Sequence, residues 1–158
     1  MIGVALLLGT HGTSRTRAEA IVSSRTFVHT ASDGHSGAGV YFWAYETALG
    51  LAAHLARLWW ATYFRQQKYA TDADPSCAIL DVGIECPSGD AYLDATTVEF
   101  RETLTQMASS FEDCDGFELD TATAYVVDQI ESRTNRPVLV MKALLKSPSR
   151  SGLPSFVA

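Results

Sequence analysis

The stretch Val4-Ala-Leu-Leu-Leu-Gly9-Thr10-His11-Gly12-Thr13-Ser14 decides how the rest of this chain is read. Its apolar run is too short for a useful helix and, closed by Gly9, has the form of a fully buried strand. A strand ending there delivers Thr10 to Ser14 to its tip, where backbone amides and one imidazole stand clear of strand pairing. Taken alone, a His-Gly pair at a strand end reads first as a turn. The neighbouring segments supply the second reading.

Downstream, Ser14 can cap a short helix that ends near Ser24, with Phe27 anchoring its exit. Residues 30–39 hold three glycines among small polar residues and read as a loop whose backbone is open to close approach. Val40-Tyr-Phe-Trp43 follows as a second strand, which by itself reads as an aromatic core strand. Ala44 to about Gln67 places Ala48, Leu51, Ala52, Leu55, Leu58 and Trp59 on a helical stripe whose small members allow close packing. Cys77 to Ile84, bounded by Pro75 and Pro87, is a third strand, and Ser88-Gly89 turns the chain. Thr96 or Thr97 can cap a helix carrying Val98, Leu104, Met107 and Phe111, and a further helix from Asp120 carries Ala124, Val127 and Ile130. Pro137 opens a strand Val138–Met141, and Ser155–Ala158 begins another after the turn-rich residues 147–154. Strands and helices in this mixed order give the α+β class.

Composition bounds what such a domain can do. At 158 residues with 47% hydrophobic and 19% charged, the chain is expected to fold as one domain, 1–158, around a sizeable core. Twelve basic against eighteen acidic residues, a net charge of −6, argue against a general nucleic-acid coat. Cys77, Cys86 and Cys114 are odd in number and form no C-x-x-C pair, and His29, His35 and His54 add no ligand spacing, so neither a disulfide framework nor a metal is expected. His54 is expected to pack within its helix. Glu46, His54 and Arg57 interrupt the apolar region 40–64, so no membrane partner is expected, and the first residues lack the basic start of a signal peptide, which points to the cytoplasm. No G-x-S-x-G surrounds Ser14, so a serine hydrolase is not supported. Residues 69–131 hold fifteen acids and one base, whereas 132–158 hold five bases and no acid. That asymmetry is first a solvated acidic face beside a basic tail, and second a docking surface built from Arg133, Arg136, Lys142, Lys146 and Arg150.

The His11-Gly12-Thr13 strand end, the following helix, and Gly37-Ala-Gly39-Val-Tyr41-Phe-Trp43 together resemble ADP-ribosyltransferases of the diphtheria-toxin and poly(ADP-ribose)-polymerase branch, marked by a His-Tyr-Glu triad. The likeness extends through the small-residue helix Ala44–Ala53 to the strand at Ala78–Ile84, and covers roughly the first 95 residues. It implies a split pair of small β-sheets with helices outside, enclosing a site for NAD as substrate. It implies that His11 hydrogen-bonds a ribose hydroxyl, that the Gly12 backbone holds the nicotinamide amide, that Thr13 supports the loop, that Gly39 belongs to the cofactor-binding glycine motif, and that Tyr41 stacks on the nicotinamide ring. Cleaving the nicotinamide glycosidic bond builds oxocarbenium character, so such a site must hold the ribose, accept the leaving ring and exclude stray water.

The family's third residue is a glutamate opening a late strand, and it has no counterpart here: Glu99, Glu102, Glu118 and Glu131 fall in or beside expected helices and read as surface acids. In relatives that strand follows a turn similar to Ser151-Gly-Leu-Pro154, so either the catalytic strand lies beyond Ala158 or the chain is a divergent relative without efficient transfer; the catalytic residue is unassigned. The resemblance implies transfer of ADP-ribose to a protein, DNA or RNA acceptor, as a cytoplasmic enzyme or as a toxin or defence effector delivered into a target cell. A non-catalytic NAD or ADP-ribose binding module and an NAD glycohydrolase are the alternatives.

Overall fold

The computed structural model describes residues 5–28, 39–86, 91–109, 119–145 and 156–157. It is a mixed α+β chain in the order β1 (Ala5–Ser14), α1 (Arg15–Ser24), β2 (Trp43–Tyr45), α2 (Leu49–Arg65), β3 (Cys77–Cys86), β4 (Tyr92–Asp94), α3 (Val98–Ser109), α4 (Leu119–Thr134), β5 (Val140–Lys142), β6 (Leu144–Leu145) and β7 (Phe156–Val157). Internal contacts divide it into two compact units, one resting chiefly on Leu6–His29 and Val40–Ile84, the other chiefly on Glu85–Leu144.

In the first unit β1 is the central strand of a three-stranded sheet ordered β2-β1-β3. The strand does not stop at Gly9. It runs through His11-Gly12-Thr13 to Ser14, past Thr10, the last residue paired with β2, and has β3 as its neighbour on the other side. Gly9 has a packing role instead: a Cβ there would lie 2.9 Å from the Phe42 Cβ. β2 pairs with β1 antiparallel, Leu8 against Tyr45, Gly9 against Ala44 and Thr10 against Trp43. That register shifts the expected second strand towards the C-terminus, from 40–43 to 43–45, and delays α2 to Leu49, since Ala44 and Tyr45 are held extended by the ladder.

α2 packs Ala52, Leu55 and Ala56 around the buried Trp43, with Leu51 and Trp59 against them. Ala48, expected on that stripe, is exposed at the helix start, and His54, expected to pack, is exposed. At 100° per residue, His54 stands about 160° around the helix from Ala56, on the solvent side. α1 begins as the sequence requires. The Ser14 hydroxyl accepts from the Arg17 amide at 3.3 Å, and Arg25, at φ 55°, closes the helix by donating its amide to the Ile21 carbonyl.

In the second unit, β4 and β5 pair in parallel, Tyr92 with Val140 and Asp94 with Lys142. α3 and α4 pack on each other, and the core joins Ala95, Phe100, Leu104, Val126 and Ala143, with Ile130 against it. The Thr97 hydroxyl accepts from the Phe100 amide and caps α3, as the sequence allows. Phe100 takes the core position expected of Val98, which is 63% exposed. Six residues separate Val98 from Leu104, about 240° around a helix, whereas Phe100 and Leu104 are one turn apart. The strand expected over 138–141 is Val140–Lys142; β4, three residues long, and β6, two residues long, carry no periodic signal a sequence could show. β6 and β7 form a two-stranded sheet; β7, whose residues belong to the first unit, falls within the strand expected near the last residues. The loop before Gly39, the Ser88-Gly89 turn, Phe111, Cys114, Glu118, Lys146, Arg150 and the Ser151–Pro154 turn lie outside the described residues.

Candidate functional site

Hydrogen bonding fixes the end of β1. The Thr10 hydroxyl donates to the Ala52 carbonyl at 2.7 Å, tying the strand to the middle of α2. Two residues on, Gly12 faces the same helix, and a Cβ at that position would sit 1.9 Å from the Ala56 carbonyl oxygen and 2.6 Å from its carbon. Only glycine permits this approach. In a strand the Cβ direction is roughly perpendicular to the amide and carbonyl, so α2 fills the face of Gly12 and leaves its hydrogen-bonding edge in the sheet plane.

Thr13 and Ser14 are buried and satisfied. The buried Thr13 hydroxyl lies beside the Tyr69 phenol and opposes the upward push of burial on that group. The Ser14 hydroxyl donates to Asp72, whose carboxylate also takes the Arg17 guanidinium at 2.8 Å. Burial pushes the Asp72 carboxyl up, but the hydrogen bonds from Ser14 and Arg17 outweigh it and hold it below its ordinary value. The same Arg17 lies over the Tyr69 ring, 4.9 Å from its centre. At the start of α1, the Arg15 amide donates to the Ser76 carbonyl and the Thr16 amide to the Asp74 carbonyl. The first turn of the helix is thus closed by the chain's own acceptors, which argues against a phosphate seat there.

His11, half-buried, is held like Thr10 by a backbone carbonyl rather than by a hydroxyl or carboxylate. Its Nδ1 lies 2.9 Å from the Tyr41 carbonyl. A carbonyl only accepts, so Nδ1 carries the proton and donates, and in the neutral ring Nε2 is an acceptor. Burial pushes the imidazole pKa below its ordinary 6.5, against the opposing pull of that bond. Phe27 and Phe42 frame the ring, with centroids at 5.4 and 5.7 Å from it.

The candidate residues are therefore brought together in part. His11 and the Tyr41 backbone meet directly. The half-buried Tyr41 side chain packs against the Trp43, Ala52, Leu55 and Ala56 cluster, while the His11 ring packs with Phe27 and Phe42. Gly39 is exposed, with nothing within 4 Å of a Cβ built on it. Of the acids considered for catalysis, Glu99 and Glu102 are exposed on α3, and a carboxylate oxygen of Glu131 accepts the Val138 amide at 2.7 Å. Among the basic residues, Arg133 and Arg136 are exposed at the end of α4, whereas Lys142 is half-buried in β5 opposite Asp94. Sequence reading gave no role to Asp72 or Ala56, because partners 58 and 44 residues distant leave no local pattern.

An open furrow of about 530 Å³ lies elsewhere, between Arg15, Glu19 and Val22 of α1 and Cys77 and Ile79 of β3. Its chemistry is mixed, and Arg15 is engaged by Asp74 at 3.6 Å. Burial pushes the Cys77 thiol up, against a smaller effect of Arg57, so it is a poor nucleophile. Among the described residues, no cluster of His, Cys, Asp and Glu could hold a metal, and no helix is long and apolar enough to cross a membrane. No protein family, curated protein or solved structure matches this chain.

Proposed function

We propose that this chain binds NAD at the end of β1 and transfers ADP-ribose from it to a macromolecular acceptor, as the resemblance of its His-Gly-Thr and Gly-x-Gly-Val-Tyr-Phe motifs to the diphtheria-toxin and poly(ADP-ribose)-polymerase branch implies. One observation carries the reading: the 2.9 Å hydrogen bond from His11 Nδ1 to the Tyr41 carbonyl joins the two motifs across 30 residues of sequence. It also leaves the imidazole with the chemistry the role needs. A neutral ring donating through Nδ1 offers Nε2 to a sugar hydroxyl, and a hydroxyl is a donor that such an acceptor can hold at neutral pH. Tyr41 rests on the Trp43 and Leu55 cluster, and a ring already held by its packing loses little freedom when a planar ring stacks on it. Thr13, buried beside Tyr69, supports the strand end. Gly39 enters the site by the resemblance alone.

In this reading the bond between the ribose C1′ and the nicotinamide nitrogen breaks, its electron pair leaves with nicotinamide, and an acceptor nucleophile closes on C1′ and gives up its proton. The chain's part is to hold the ribose and the leaving ring in register and to keep water away.

Titration calorimetry and thermal unfolding with NAD test the proposal. At a hundredfold excess over the dissociation constant, NAD should stabilise the chain by about 2.7 kcal/mol. His11→Ala should bind about tenfold more weakly or worse, and His54→Ala, altering an exposed residue, should bind as the parent does. Neither heat nor a melting shift at millimolar NAD would reject the site. Release of nicotinamide separates an enzyme from a binding module, and label carried onto a macromolecule separates a transferase from a glycohydrolase.

A further inference from the structure

We infer that Phe27 is a positioning residue for His11: by its packing against the imidazole it holds the ring in the orientation that donates Nδ1–H to the Tyr41 carbonyl and so keeps Nε2 an acceptor. The inference adds a residue to the NAD site proposed above and rests on that reading only for its consequence in binding.

A histidine ring can turn over about χ2, exchanging Nδ1 for a carbon, and one hydrogen bond is a weak constraint against that rotation. Here three rings close on one another. Phe27 meets His11 edge-on, with centroids 5.4 Å apart and planes at 84°. Phe42 meets His11 at 5.7 Å and 54°, and Phe27 meets Phe42 at 5.1 Å and 81°. All three separations fall in the range of favourable aromatic contact. Phe42 is carried by the segment entering β2, one residue before the ladder begins, so its place follows from the sheet. Phe27 has no such support. It follows the left-handed Arg25 cap of α1, and its neighbours Thr26 and Val28 are exposed, Val28 by 89%. Phe27 is half-buried and is the residue of this exit that turns inward, towards His11.

The pair of phenyl rings also presents the imidazole with apolar surface, which favours the neutral form that the geometry needs. Fixing that tautomer matters to a ligand hydroxyl. In the opposite tautomer Nε2 carries the proton, and the site exchanges an acceptor for a donor.

The test is NMR on the full chain labelled with ¹⁵N, reading the His11 ring nitrogens by long-range ¹H–¹⁵N correlation without NAD, beside calorimetry with NAD. In the parent, His11 should be a single Nδ1–H tautomer. Phe27→Ala should give an averaged mixture shifted towards Nε2–H and bind NAD about tenfold more weakly, and Phe27→Tyr, restoring a ring, should return both readouts to those of the parent. A residue that merely stabilised the fold would lower the melting temperature without moving the tautomer. Should Phe27→Ala not fold, Phe27→Leu, which keeps bulk but loses the ring, is read in the same way. A folded variant lacking the ring whose His11 remains wholly Nδ1–H overturns the inference even if the parent binds NAD. A tautomer that shifts as expected in a chain that never binds NAD sustains the positioning role and rejects the NAD site.

Discussion

Gly12→Ala sets the role of this glycine in packing against its role in binding. The added Cβ would lie 1.9, 2.6 and 3.3 Å from the oxygen, carbonyl carbon and Cα of Ala56, all backbone atoms of a residue with no exposed surface. No side chain can swing aside, so β1 and α2 must separate by about 1.5 Å to regain ordinary contact distance. Overpacking of this kind costs about 1–3 kcal/mol, and more when backbone must move. The same displacement pulls the buried Thr10 hydroxyl from the Ala52 carbonyl, 2.7 Å away, and an unsatisfied buried polar group costs about 1–3 kcal/mol. Together the loss is about 2–6 kcal/mol, a large part of the 5–15 kcal/mol typical of a folded domain. Urea unfolding followed by circular dichroism should show a strongly lowered midpoint without NAD present. Gly39→Ala is the contrast: a Cβ there meets nothing within 4 Å, so the midpoint should hold or rise slightly. Equal stability of Gly12→Ala and the parent, within about 1 kcal/mol, would refute the close approach of α2 to β1.

Two further perturbations probe the strand end. Because the folded chain holds His11 below its ordinary pKa of 6.5, the unfolded state binds more protons just under that value, so His11's contribution to stability is constant above it, falls as pH drops through it, and levels off below the folded pKa; denaturant midpoints from pH 8 to pH 5 should slope less for His11→Asn than for the parent, and equal slopes would contradict the buried neutral ring. Ser14→Ala removes both the cap on the Arg17 amide and the donor to Asp72, and should cost about 1–2 kcal/mol while speeding hydrogen exchange in the first turn of α1; unchanged exchange at Arg17 would show that the cap does not hold the helix.

What the sequence determined by itself was what local rules can encode. A short apolar run, a capping serine, a three-to-four spacing of small residues and a threonine before α3 are patterns within a few residues of one another, and β1, α1, α2 and α3 follow from them. It also marked His11, Gly12, Thr13, Gly39 and Tyr41 as candidates by motif. Only the tertiary structure decided that β1 continues past Gly9, because extended backbone there depends on sheet neighbours brought from β2 and β3, distant in sequence. Long-range pairing likewise moved β2 to Trp43–Tyr45 and kept Ala44 out of α2, overriding helix periodicity with ladder bonds to β1. The division of labour at the strand end was hidden for the same reason. That Gly12 makes room for Ala56, that Asp72 secures Ser14, that Thr13 lies beside Tyr69, and that Tyr41 engages His11 through its carbonyl while its ring packs on the α2 cluster are facts about residues 11 to 58 positions apart. Hydrogen-bond direction and van der Waals contact act over a few ångströms of space, and a linear pattern carries no record of which distant residues that space contains.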